Sequence, residues 1–270
     1  MAEYEQPANA LDALDALDAL RQSIRAGRLL PGERLPAEDK LAARYRTSVP
    51  TLQRALSELV AEGLIDRRHG VGTFVRTPRR RVMRSNDRHQ WEKDRARRST
   101  AERLRTGSTE HDTGLEVTDL AFHAEYREAK ADDDLASVFH IPVGTRLLER
   151  IYRTNCRAED APFALVHSYL VHDVVAENPD LLHAANEPWP GGTQNQLYTI
   201  GIELDRVEER ITARPPTVEE AETLGLKKGV AVIVLRKICT DIGDRVVEVS
   251  DVTLCGDRTE LVFTTPLTSW

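Results

Sequence analysis

Residues 35–75, LPAEDKLAARYRTSVPTLQRALSELVAEGLIDRRHGVGTFV, leave a chain few ways to fold, because they fit two short helices, a tight turn and a glycine-tipped hairpin into about forty positions. Pro36 is suited to opening a helix. Glu38 and Asp39 follow in the first turn, where the positive end of the helix dipole favours acids, and Leu41, Ala42 and Tyr45 give one apolar stripe. That places a helix over about 37–46. After the polar break Arg46-Thr47-Ser48 a second helix is expected from near Pro50, capped by Ser48 or Val49, with Leu52, Ala55, Leu56, Leu59 and Val60 on the buried face. The opposite face carries Pro50, Gln53, Arg54, Ser57 and Ala61. Gly63 closes this helix; 64–67 read as a strand, 68–72 as a turn and 73–76 as the returning strand.

Two such helices alone would fit an ordinary helical hairpin. The β-hairpin changes that reading, since its apex joins Arg67, Arg68 and His69 to Gly70 and Gly72, with Thr73 beginning the return. Glycines let the backbone come close to a partner, and clustered cations match phosphates or a minor groove. The layout is that of a winged helix-turn-helix, a fold that sets its second helix in the major groove of DNA.

A net charge of −7 over 270 residues argues against a nucleic-acid partner until the charge is divided along the chain. Residues 1–20 hold five acids and no Lys or Arg, residues 21–110 hold 22 Lys and Arg against 11 Asp and Glu, and residues 111–270 hold 15 against 28. The local balances are therefore −5, +11 and −13. A basic N-terminal third on an acidic body suits a DNA reader joined to a separate sensing or dimerising domain. The length suffices for two domains and the 40% hydrophobic content for a core in each.

No stretch approaches a membrane span and the N-terminus lacks the pattern of a signal peptide, so a cytoplasmic protein is expected. Cys156, Cys239 and Cys255, odd in number and without CxxC spacing, read as reduced, largely buried thiols. No metal, cofactor or catalytic residue is expected.

Before the helix-turn-helix, Leu11, Leu14, Leu17, Leu20 and Ile24 recur at helical spacing with Asp12, Asp15 and Asp18 on one flank, predicting a helix that ends at Gly27 and packs its leucines onto the core. The DNA-reading domain thus covers 10–76. From 77 to 109 the sequence turns arginine-rich and core-poor, with Arg79, Arg80, Arg81, Arg84, Arg88, Arg95, Arg97 and Arg98, and reads as an interdomain linker. It is either a solvated charge run or a second phosphate contact.

The body, 110–268, holds a weak internal duplication. The end of a helix at 135–139 precedes Gly144 and strands at 146–153 and 163–170. A helix capped by Thr217, with Glu220 three residues on, precedes Gly229 and strands at 230–238 and 246–254. Two helix-plus-hairpin units bury their apolar faces by joining into one sheet with helices on the other side, which makes an α+β domain.

These features together resemble the GntR family of transcription factors, HutC branch, with a UTRA domain. The resemblance covers about 11–76 through Leu30–Glu38 (LPGERLPAE), Ala55-Leu56, Glu62-Gly63-Leu64-Ile65 and Gly70-Val71-Gly72-Thr73-Phe74-Val75. It covers about 110–266 through the duplicated hairpins and Gly256-Asp257-Arg258. It implies an α+β molecule in which a winged helix-turn-helix is joined by a basic linker to a UTRA domain of chorismate lyase-like fold. It also implies a homodimer on a palindromic double-stranded operator, usually a repressor, tuned by a small-molecule effector. Where the family commonly places arginines, this chain has Asp39, Val49 and Gln53. Base readout must then differ, since glutamine suits adenine and valine a thymine methyl. Gln53, Arg54 and Pro50 or Val49 are expected at base edges, Arg44, Arg46, Ser48 and Thr51 at phosphates, and Arg67, Arg68, His69, Gly70, Gly72 and Thr73 at the wing.

For the effector the resemblance points to Arg150, Tyr152, Ser168 and Glu248, with Tyr152 standing where phosphosugar-binding relatives carry a second arginine and Val166 where they carry a glutamate. Arg150 and Glu248 also have a simpler reading as a cross-sheet pair. Two other functions remain open: a ligand-independent repressor whose body only dimerises, and a DNA-tethered chorismate lyase-like enzyme. The second lacks any nucleophile–base pair, HExxH or phosphate loop.

Overall fold

A computed structural model describes residues 8–268, with side chains from Asp15 onward; the side chains of Leu11, Asp12 and Leu14 lie outside the described residues. The chain divides into two compact units. One runs to Arg79 and takes in Lys227–Val230, and the other is the rest of the chain from Arg80.

In the first unit α1 (Ala8–Arg25), α2 (Glu38–Arg44) and α3 (Val49–Ala61) are followed by β1 (Ile65–Arg68) and β2 (Gly72–Val75), which form an antiparallel hairpin. Each element lies within a residue or two of its expected place. Leu17 and Leu20 of α1 join Leu35, Leu41, Leu52, Leu56, Leu59, Ile65 and Val75 in one core. Arg34 bridges to Phe74 as a short third strand of the wing.

The second unit is built on a six-stranded antiparallel sheet. Ahead of it come β3 (Val82–Ser85), α4 (Arg88–Ala96), α5 (Thr100–Arg103) and α6 (Ser108–Thr113). The first half-sheet is β4 (Leu120–Lys130), α7 (Asp133–Phe139), β5 (Arg146–Cys156) and β6 (Ala164–Val171). After α8 (His172–Val175) and α9 (Gly192–Tyr198), the second repeats that order as β7 (Leu204–Arg214), α10 (Val218–Thr223), β8 (Val232–Asp241) and β9 (Val246–Cys255). The halves join where β6 pairs with β9, which sets the strand order β4-β5-β6-β9-β8-β7, and β10 (Thr259–Val262) pairs in parallel with β3.

Two expectations need correction. Helices cover both faces of the sheet: α7 packs its Leu135, Ala136 and Phe139 on Leu147 and Val249, while Val175 of α8 and Leu197 of α9 pack on Leu148, Leu170 and Cys239 of the opposite face. Nor is 77–109, expected as a core-poor charge run, free of regular structure, since β3, α4 and α5 lie within it. Arg80, Arg81, Arg97 and Arg98 stay exposed, as expected of a charge run, but Arg84, Arg88 and Arg95 are absorbed by specific partners. Arg88, 7% exposed, pairs with Glu92 at 3.1 Å and with Asp112, and Arg84 pairs with Glu209 at 2.8 Å. Arg95, 5% exposed, donates to the carbonyls of Arg103, at 3.0 Å, and Thr106, and stacks on Trp91. Buried cations persist only when paired in this way.

Candidate DNA interface and ligand cavity

Helix α3 turns Leu52, Ala55, Leu56 and Leu59 inward and leaves Val49, Pro50, Gln53, Arg54 and Ser57 exposed. Ser48 caps it. The Ser48 Oγ accepts from the Thr51 N–H at 3.3 Å and lies 2.8 Å from the Thr51 hydroxyl. Thr51, expected at a phosphate, is instead buried with its hydroxyl held by the cap, because its place in the first turn points it at the core. Arg44 and Arg46 are exposed, and Arg46 adopts φ 53° in the tight turn between α2 and α3.

Across the wing Arg67 faces Thr73 and Arg68 faces Gly72. Arg67, Arg68, His69 and Gly70 are exposed, and the Arg68 guanidinium lies 4.5 Å from the centre of the Phe74 ring. Gly72 holds φ +141°, and a Cβ there would meet Arg34 Nε at 2.8 Å. Arg34 is a cation beneath the wing that the sequence reading passed over, although its place in the Pro-Gly-Glu-Arg turn just before α2 was visible. A second missed residue is Glu38. Its carboxylate accepts from Gln53 Nε2 at 2.7 Å and from Arg67 at 3.3 Å, and so ties the reading helix to the wing.

In the second unit, strand register places Tyr126, Arg150, Ser168, Ser250, Lys237 and Glu209 side by side across all six strands, on the face that α9 covers. Arg150, 2% exposed, donates to Gln196 at 2.6 Å, Ser168 at 2.7 Å, Glu248 at 2.9 Å and Thr193 at 3.1 Å. Glu248 also accepts from Ser168 at 2.7 Å and Ser250 at 3.1 Å, and pairs with Lys237 at 2.9 Å. Burial alone would raise its carboxyl; the Lys237 and Arg150 charges hold it far below the usual carboxylate range. Arg150, Ser168 and Glu248 are therefore brought together as expected, but they meet one another rather than open space.

Tyr152 lies in the next row. Its hydroxyl donates to Glu187 at 2.9 Å and sits 3.1 Å from the Tyr126 hydroxyl, while Gln196 donates to the same carboxylate at 3.0 Å. Glu187, in the loop before α9, is a third residue the sequence did not single out, because it lies far from the strands in the chain. Beside Tyr152 opens a cavity of about 140 Å³, lined by Val82, Arg84, Arg88, Thr109, Asp112, Thr154, Phe163, Ala164, Val166, Val252, Leu254 and Thr259 as well. Of the four residues expected at an effector, Tyr152 alone lines it. Among the described residues no helix is long and apolar enough to cross a membrane, and Cys156, Cys239 and Cys255 are all buried.

The model for bacterial regulatory proteins of the gntR family matches residues 13–75, and that for the UTRA domain matches residues 123–260, about half of the chain. The HTH-type transcriptional repressor NagR of Bacillus subtilis is 25% identical over 81% of this chain and 79% of its own length. The histidine utilization repressor of Klebsiella aerogenes is 27% identical over 76% and 74%. A crystal structure described as a GntR-family transcriptional regulator superposes with a TM-score of 0.65 at 26% identity, covering 98% of this chain and 99% of the other.

Proposed function

The chain belongs to the GntR family of bacterial regulatory proteins, HutC branch, with a UTRA domain, and from that premise we propose that this transcriptional regulator is a repressor that binds a palindromic operator as a homodimer and answers to a small molecule held in its C-terminal unit. The observation that carries the DNA reading is the exposed face of α3, Val49, Pro50, Gln53 and Arg54, set beside a wing that bears Arg67, Arg68 and His69. Gln53 would read adenine, Val49 or Pro50 would touch a thymine methyl, and Arg54 would reach a base edge. Arg44, Arg46 and Ser48 would engage phosphates with Thr51 supporting the cap, while Gly70, Gly72 and Thr73 would bring the wing backbone to the groove. In a dimer the two α3 helices would stand about 34–36 Å apart or a multiple of it. NagR and the histidine utilization repressor, both repressors by name, support the direction of control.

The test is fluorescence anisotropy of the purified protein on its own upstream DNA and on scrambled DNA across a salt series. Preferential binding at near-physiological salt is expected. Gln53→Ala should weaken operator binding by about 5- to 100-fold, the range of one good base contact, and leave scrambled DNA unaffected. Binding that ignores sequence and vanishes with salt would overturn the proposal, as would a monomer that holds a half-site as tightly as the full operator.

A further inference from the structure

The cavity beside Tyr152 has a size, a floor and a donor set, and the three together narrow what fits. Its volume of about 140 Å³ is close to that of engineered protein cavities of about 150 Å³ that hold a benzene. The floor is apolar: Phe163, Ala164, Val166, Val252 and Leu254 line it together with Val82. Arg84, Arg88 and Asp112, with Thr109, Thr154 and Thr259, make up its polar part. The Nε atoms of Arg84 and Arg88, and the Thr259 hydroxyl, are buried and without a hydrogen-bond partner among the described residues. Both Nε atoms are enclosed, so these donors are not met by bulk water. A buried donor left unpaired is costly, and a ligand oxygen that draws the two arginines inward supplies the missing acceptor.

Charge limits the ligand further. Arg84 Nη2 is already engaged by Glu209, and the two Nη atoms of Arg88 by Asp112 and Glu92. Those carboxylates, with Asp112 in the lining itself, repel a phosphate dianion about twice as strongly as a monoanion, and a single carboxylate offers two oxygens to the two Nε–H groups. A sugar ring, in turn, would find Thr109, Thr154, Thr259 and Asp112 for some of its hydroxyls but would set the others against Phe163, Val166, Val252 and Leu254.

We infer that this cavity binds a small organic monocarboxylate with an apolar, branched or aromatic body, its carboxylate on Arg84 and Arg88 and its body on the Phe163–Val166–Val252 floor. The inference rests on the reading of the C-terminal unit as the effector domain and gives that effector a chemical class. Tyr152 forms the wall between this space and the Arg150 cluster, its ring 5.5 Å from the Arg150 guanidinium, so that a ligand pressing on the ring also presses on Arg150.

Thermal unfolding of the full-length protein with benzoate, 3-methylbutanoate, benzamide and glucose 6-phosphate tests the class. One or both of the carboxylates at millimolar concentration should raise Tm by about 2–8 °C, and benzamide and glucose 6-phosphate should raise it less. Ala164→Phe, which fills the floor, should abolish the shift. Thr259→Val, a milder change that keeps the claim testable if the first variant unfolds, should reduce it. A shift by glucose 6-phosphate alone, no shift with either acid, or an unchanged shift in Ala164→Phe would overturn the inference. Operator anisotropy with the same probes separates the two levels. An acid that raises Tm yet leaves operator binding intact upholds the ligand class and removes effector control, and operator release by the sugar phosphate alone does the reverse.

Discussion

Glu38 illustrates how little energy separates a resting contact from a working one. It begins α2, where its charge favours the helix dipole, and it also holds Gln53 and Arg67, the two side chains that the DNA proposal uses from the helix and the wing. The Glu38–Arg67 side chains are 34% and 40% exposed, and ion pairs this open contribute about 0–1 kcal/mol. DNA phosphates can outcompete such a pair. Replacing the charge while keeping the shape, Glu38→Gln, should tighten binding to any DNA by about 3- to 10-fold at low salt and steepen the salt slope by about 0.9, the increment of one further phosphate contact. Anisotropy on scrambled DNA checks this; a weaker complex with an unaltered slope would mean that Glu38 serves to aim Gln53. In the sequence Glu38 was legible as a first-turn acid, but its partners, 15 and 29 residues away, were not. The Arg150–Glu248 pair was half legible in the same sense: residue types and strands were right, whereas the mutual saturation of the cluster depends on Gln196 and Thr193 from a helix that the sequence did not reveal.

Among the elements, α3 was the easiest to read and β4 and β7 the hardest. Ser48, Pro50 and the leucine spacing mark α3 from cap to end. The strands β4 and β7 lie at the two edges of the sheet and are dominated by exposed charged positions, the charged dressing that keeps sheet edges from pairing with other chains. Lacking an apolar run, they did not stand out. The segment 77–109 misled for the opposite reason, since arginines usually mark solvent and here Arg84, Arg88 and Arg95 are paired and enclosed. For α3 the cap has a measurable weight. Ser48→Ala removes the acceptor for the Thr51 N–H and strands the buried Thr51 hydroxyl, so unfolding of the DNA-reading unit should lose about 1–2 kcal/mol. Ser48→Asp, which can still cap, should lose much less. Urea midpoints for the two variants decide it; equal midpoints would show that the cap carries no load.

For the molecule as a whole, the segregation of charge, +11 over residues 21–110 against −13 over 111–270, hides a second pattern inside the C-terminal unit, where acids and arginines are matched at depth. Burial opposes ionisation of Glu92, but the Arg88 charge prevails and brings its carboxyl down to about 2. Burial likewise opposes Glu209, and the His89 hydrogen bond with the Arg84 charge brings it to about 2. Both lie below the ordinary carboxyl value of 4.5, so the stability they lend is complete above that pH and is lost as pH falls towards 2. Asp112, raised by burial despite Arg88, acts in the opposite sense and softens the loss. The urea midpoint of this unit should stay level from pH 7 to about 5 and then fall steeply, by the equivalent of a few kcal/mol; a midpoint still level at pH 3 would contradict the pairing.

The row Tyr126, Arg150, Ser168, Ser250, Lys237 and Glu209 bears on how this sheet finds its alignment. Apolar faces of duplicated hairpins are similar enough to tolerate sliding, and a slip of one residue turns every side chain of a strand to the other face. A guanidinium enclosed in the sheet tolerates no such error, because away from Ser168 and Glu248 it has nothing to bond. The six residues therefore act as a vernier: hydrophobic burial brings the strands together, and the polar row admits one setting of each against the next.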